Sequence, residues 1–200
     1  MRPHSARQRG VTLVEALVAL VVLSIGLFGV AGLLLKTSRY AQGAWAQAAV
    51  ADGVDDLAER LRSTPSADAA AFTLDASYAD QRSDIDGGSV TVAKDCDAEA
   101  CTAAETAAFH LARWRLSLDR ALPGGAGWVR PLSTAATSAQ ATSFDVAVMW
   151  FDKSMVDADG NLVSSAVCTG AETGIDARRC CPPDADAPAG VRCAHAVLVP

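Results

Sequence analysis

Much of the usual chemistry of catalysis and ligand binding is missing from this sequence. Its three histidines, His4, His110 and His195, lie far apart along the chain. No G-x-S-x-G or H-E-x-x-H occurs, so neither a nucleophile–base system nor a zinc hydrolase is indicated. Neither G-x-G-x-x-G nor G-x-x-x-x-G-K follows a strand, so Leu122-Pro123-Gly124-Gly125 is read as a helix stop and not a phosphate cradle. The cysteines lack C-x2-C pairs, which argues against a tetrahedral zinc site, and no metal or cofactor is expected. No short period is sustained, which excludes collagen-like and coiled-coil architectures. Basic residues are sparse after the first ten positions, where 14 basic and 23 acidic side chains leave a net charge of −9. Such a body opposes phosphate backbones, so nucleic acid is not an expected partner.

What the chain does have is unevenly placed. Half of its 200 residues are hydrophobic, but 41 are alanine and the bulky ones crowd near the N-terminus. From Val11 to Leu35 the only ionisable group is Glu15, and Lys36 and Arg39 follow. As a helix this stretch is about 37 Å long, enough to cross a hydrocarbon core of about 30 Å with some tilt. The apolar run exceeds a secretory h-region of about 7–15 residues. The nearest A-x-A pattern, Ala46-Gln47-Ala48, lies beyond the reach expected of a signal peptidase at the membrane surface. An acidic side chain deep in such a helix costs on the order of 2.5–3.5 kcal/mol. Glu15 therefore either snorkels to the headgroups or has a function.

The order of features around it is specific. A short basic leader with Arg7 and Arg9 ends at Gly10, and Val11-Thr12-Leu13-Val14-Glu15 then opens the apolar helix. This resembles the class III signal of type IV prepilins and pseudopilins. The resemblance implies cleavage between Gly10 and Val11 by prepilin peptidase and N-methylation of Val11, which stands where the family usually has Phe or Met. Glycine suits the cleavage position because, lacking Cβ, its backbone can lie extended in a narrow cleft. The resemblance also gives Glu15 a role in assembly, pairing with the N-terminal amine of a neighbouring subunit, an attraction far stronger in low dielectric than in water.

Val50, Val54, Leu57 and Leu61 recur at steps of 4, 3 and 4, which predicts that the helix continues as an amphipathic extension to about Ser63 before Pro65 stops it. Gly26, Gly29 and Gly32 within it read either as close-packing positions or as a stretch that can loosen on extraction into a fibre. An Ala- and Asp-rich connector leads to an expected strand at 89–93. Ala107, Leu111, Trp114 and Leu118 predict a second helix over about 102–121, and residues 133–143 read as a loop. Phe144, Val146, Val148 and Trp150 alternate onto one face, as a strand with one buried side requires. Residues 157–161 read as a hairpin turn before Leu162-Val163, in preference to a calcium loop, since the EF-hand spacing is not met. A last strand is expected over 192–199. The four tryptophans, Trp45, Trp114, Trp128 and Trp150, read as packing residues.

Six cysteines beyond an apolar anchor point to disulfides in an oxidising periplasm, and they allow 15 pairings. The favoured set is Cys96 with Cys101, Cys168 with Cys180 and Cys181 with Cys193, the last two sharing a separation of 12. A bridge over a loop as short as those last two contributes about 3 kcal/mol in the chain-entropy model. The leader arginines orient the N-terminus toward the cytoplasm.

Taken together, the cysteine order, the Arg113-Trp114 helix, the Leu122-Pro123-Gly124-Gly125 stop and the strand ending at Asp152 are similar to PilV-type minor pilins, the type IV pilus modification proteins. The expected fold is α+β and pilin-like, with a long N-terminal helix on an antiparallel sheet, a second helix and a disulfide-tied C-terminal region. The expected domains are a cleaved leader at 1–10, a long helix at 11–64 with a membrane span at 11–35, and a periplasmic head at 65–200. The resemblance implies a non-catalytic subunit that initiates pilus assembly in an inner-membrane complex and is retained at the tip. Its implied partners are prepilin peptidase, other minor pilins, the major pilin, a large tip protein and membrane lipid. Two alternatives are a minor pseudopilin of a type II secretion system and a membrane-anchored binding module.

Overall fold

The computed structural model describes residues 12–64, 67, 69–92, 94–132 and 143–199. The chain divides into two compact units, one ending at Trp45 and the other beginning at Ala46. A single helix, α1 (Leu13–Ser63), supplies residues to both.

In the first unit α1 presents its apolar side chains outward, with Leu13 80% and Phe28 79% exposed. Its most apolar stretch has a mean hydropathy of 2.7, and by length and composition this helix can cross a membrane. A helix suits that setting because it satisfies its backbone internally. The hydroxyls do likewise: Ser24 Oγ donates to Leu20 O (2.7 Å) and Thr37 Oγ1 to Leu34 O (2.9 Å). Apart from the helix's own nearby backbone, nothing among the described residues lies within 4 Å of a Cβ built on Gly26, Gly29 or Gly32.

In the second unit the later turns of α1 bury Ala46, Val50, Leu57, Ala58 and Leu61, while Val54 is half-buried. A short helical turn follows at Ala69–Phe72, then α2 (Tyr78–Asp86) and α3 (Ala103–Ala121). The connector thus contains a helix, α2, that its composition did not announce. Residues 89–92 lie in no strand, contrary to the expectation for 89–93, and residue 93 is outside the described residues. Val90 and Val92 are half-buried with no strand paired to them among the described residues, and the Cys96–Cys101 loop follows closely.

α3 begins on a reciprocal cap. Thr102 Oγ1 accepts from Glu105 N (3.3 Å), and Thr102 N donates to Glu105 Oε2 (2.7 Å). It buries Ala107, Phe109, Leu111, Trp114 and Leu118. The sheet consists of β1 (Ala126–Leu132), β2 (Ser143–Phe151) and β3 (Val191–Leu198), antiparallel in that spatial order. β1 was not expected from the sequence. Leu74 adds one antiparallel bridge to Val129 at its outer edge.

Phe144, Val146, Val148 and Trp150 face the helices, as the alternation predicts, and join Leu57, Leu61, Leu111, Trp114 and Leu118 in one core. The opposite face is also buried, which corrects the expectation of a one-sided strand. Ala147, Met149, Trp128 and Val191 pack there against Tyr78, Cys181, Cys193 and Ala185, so the disulfide-tied C-terminal segment forms a third layer. Trp114 joins helix, helix and sheet: its Nε1 donates to Gly53 O on α1 (2.7 Å), and a Cβ on Gly127 of β1 would lie 2.2 Å from its ring. The whole is α+β and pilin-like: a long N-terminal helix, a three-stranded antiparallel sheet and C-terminal disulfides.

Candidate functional site: the N-terminal segment and the disulfide-tied tail

Thr12 closes the start of α1. Its Oγ1 accepts from Glu15 N (3.3 Å), while its carbonyl accepts from Ala16 N (3.1 Å). Thr12-Leu13-Val14-Glu15 therefore has the spacing of a helix start, and Glu15 lies in the first turn, where the helix dipole favours an anion. The same residue reads in the sequence as an assembly group, and the two roles are compatible because the cap uses Glu15 N and leaves the carboxylate free. That carboxylate makes no hydrogen bond or ion pair among the described residues, and Glu15 is exposed among Val14, Val18, Ala19 and Val22. Arg7, Arg9, Gly10 and Val11 lie outside the described residues.

The tail holds two disulfides, Cys168–Cys180 and Cys181–Cys193, and a third, Cys96–Cys101, precedes α3; these are the pairs named from the sequence. A parallel bridge runs beside the last two: Cys181 N donates to Ala166 O and Cys168 N to Cys181 O, each at 2.8 Å. Cys181 and Cys193 are buried under the sheet, and Cys168 is half-exposed.

Around Cys168–Cys180 stands a polar group that the sequence did not show as one. His195 on β3 forms an ion pair through Nε2 with Asp145 Oδ1 on β2 at 2.5 Å, and its Nδ1 lies 3.2 Å from Ala177 O. Asp145 holds the imidazole above its ordinary pKa, against the opposing effect of burial. Cys168 Sγ, Cys180 Sγ and a ring nitrogen of His195 lie within 4.8 Å of one another. His195 and Asp145 are 50 residues apart, so only the β2–β3 register brings them together. The signal available was an acid at an otherwise apolar strand position and a lone histidine in the last strand.

His110 has a different setting. Its Nδ1 is 3.3 Å from Arg60 Nη1 and its Nε2 3.5 Å from Ser63 Oγ, and burial and the Arg60 charge hold it below its ordinary pKa. Ser63 Oγ donates to Arg60 O (2.8 Å), so its proton is directed away from the imidazole. The turn at 157–161 is a hairpin, with Val156 bridged to Leu162 and Gly160 at φ +87°. The Asp157 carboxylate is occupied by Asp159 N, Asn161 N and Asn161 Nδ2. Donors already surround the group that a cation would need.

Residues 5–31 match the family described as the prokaryotic N-terminal methylation motif. No curated protein and no solved structure matches the chain. The motif supports a type IV pilin-like protein, pilin or pseudopilin, of a structural and usually non-catalytic kind. It implies processing by prepilin peptidase and assembly with other pilins, and with the apolar helix it fits anchoring in the inner membrane.

Proposed function

We propose that this chain is a minor pilin of the type IV pilus modification type, acting in the initiation of pilus assembly. Prepilin peptidase removes residues 1–10 after Gly10 and methylates Val11, with Arg7 and Arg9 holding the leader on the cytoplasmic side. The new cationic amine stands four residues before Glu15 in the sequence. In lipid, an unanswered carboxylate is unfavourable, so an incoming subunit gains by placing Glu15 against a neighbour's amine. An uncut precursor lacks that amine at the right depth.

The observation that supports this reading most is the coincidence of the methylation motif with a carboxylate exposed on an otherwise apolar stretch of helix, residues 13–35. The second unit, with its own core and three disulfides, supports a head that contacts other minor pilins, the major pilin and a large tip protein. A minor pseudopilin of a type II secretion system shares the motif and the helix. Deletion of the gene separates the two: loss of surface fibres and twitching motility with normal exoprotein secretion is the expected result, and the converse would assign the chain to secretion.

A further inference from the structure

The three disulfides are not equivalent in access or in charge. Cys181 and Cys193 are 2% and 1% exposed, so no thiol in solution reaches either sulfur. Cys96 and Cys101 are both half-exposed, but Asp95 and Asp97 flank Cys96, and the nearby cation Lys94 already serves Glu105. Cys168–Cys180 combines one reachable residue with one sheltered residue, Cys180 being 2% exposed.

We propose that Cys168–Cys180 is a site of thiol–disulfide exchange, open to a dithiol reductant at Cys168 and built to release Cys180 as a thiolate beside His195. The electron balance is simple. A thiolate of the dithiol attacks Cys168 Sγ and forms a new S–S bond, the Cys168–Cys180 bond breaks, and its electron pair goes to Cys180 Sγ. The second thiol of the reductant then attacks its own sulfur in the mixed disulfide and releases the Cys168 thiolate. The dithiol is oxidised to a disulfide, and the two cysteine sulfurs take up two electrons and, from solvent, two protons.

What favours Cys180 as the leaving group is the charge around it. His195 has the Asp145 carboxylate beside Nε2 as an ion pair and the Ala177 carbonyl beside Nδ1, surroundings that favour the charged imidazolium. Its ring lies within 4.8 Å of both sulfurs. Arg178 and Arg179 immediately precede Cys180 in the sequence, at the end of a short helical turn (Asp176–Arg178) whose one acid is Asp176. On β3, Arg192 is engaged by Asp152 (2.9 Å). A cation beside a sulfur lowers the thiolate pKa, and a lower leaving-group pKa speeds exchange. Asp145 is a positioning residue here: it holds the imidazole charged and aimed.

The test uses the full chain in detergent, treated with glutathione, a monothiol that carries out only the first attack and remains as the adduct, quenched by alkylation at intervals and mapped by peptide mass spectrometry. Cys168–Cys180 should open first, with the glutathione adduct on Cys168 and the alkyl group on Cys180. Its opening rate relative to Cys96–Cys101 should fall as pH rises and His195 loses its proton. His195→Gln should slow opening by on the order of three- to tenfold, whereas loosened packing alone would expose the bridge and speed it. Asp145→Asn, which keeps the imidazole, should slow it in the same direction and decides the matter if His195→Gln fails to fold. Opening of Cys96–Cys101 first, an adduct on Cys180, or an unchanged or faster rate in the folded variants would overturn the proposal.

Discussion

Glu15 and Asp145 are both carboxylates set among apolar residues, and they differ in what answers their charge. Asp145 has His195 at 2.5 Å, whereas Glu15 has no partner among the described residues. A partner from another chain is the simplest resolution for Glu15. Glu15→Ala should therefore leave membrane insertion and leader cleavage intact while reducing piliation; normal fibres and normal minor-pilin co-purification would contradict this. For the Asp145–His195 pair the sign follows from the raised folded-state pKa of His195. The pair's contribution is fully present below the unfolded value of about 6.5 and is lost as pH rises through the folded value. Thermal melts of the chain should fall over that alkaline limb, and Asp145→Asn should flatten the dependence; an unchanged slope in the variant would remove the pair as its source. Trp114 has a third kind of setting, fully buried with its one donor satisfied by Gly53 O. Trp114→Ala should destabilise the second unit by about 3–5 kcal/mol in denaturant unfolding, from lost contact and the orphaned carbonyl.

At the scale of elements, the strongest helices and the strongest strand were legible because their periods are unambiguous. Ala107, Leu111, Trp114 and Leu118 lie on one buried face of α3, and Phe144 to Trp150 alternate through β2. The Thr102-x-x-Glu105 spacing marks the start of α3, and Thr102→Ala should cost about 1 kcal/mol in the same unfolding measurement; no loss would mean the neighbouring Cys96–Cys101 loop fixes that end alone. β1 was not legible, since it carries Gly127 and Pro131 and follows a glycine pair, all of which read as loop. Its strand character comes from tertiary contact: Gly127 makes room for Trp114, and β2 supplies the pairing. Gly127→Ala, with its methyl 2.2 Å from that ring, should destabilise by about 1–3 kcal/mol through overpacking. α2 was hidden by composition, its polar residues meeting their partners far along the chain, as Arg82 meets Asp119 (2.6 Å).

For the molecule as a whole, the sequence carries an anchor and a head in its distribution of bulky apolar residues. The order of Arg9, Gly10 and Glu15 falls within the stretch that matches the N-terminal methylation motif. The two tail disulfides were suggested by equal separations of 12, yet the layer the tail forms under the sheet was not, because burial of both faces leaves alternation unable to say what covers the second. The Asp145–His195 contact was illegible for a related reason: strand register is set by the whole sheet and not by either residue. The measurement that bears most directly on a pilin-like subunit is the intact mass and N-terminal residue of the membrane-extracted chain, from cells with and without prepilin peptidase. A chain that begins at methylated Val11 only when the peptidase is present is the expected result. A start at Met1 in both strains, or at Ala49, would contradict it.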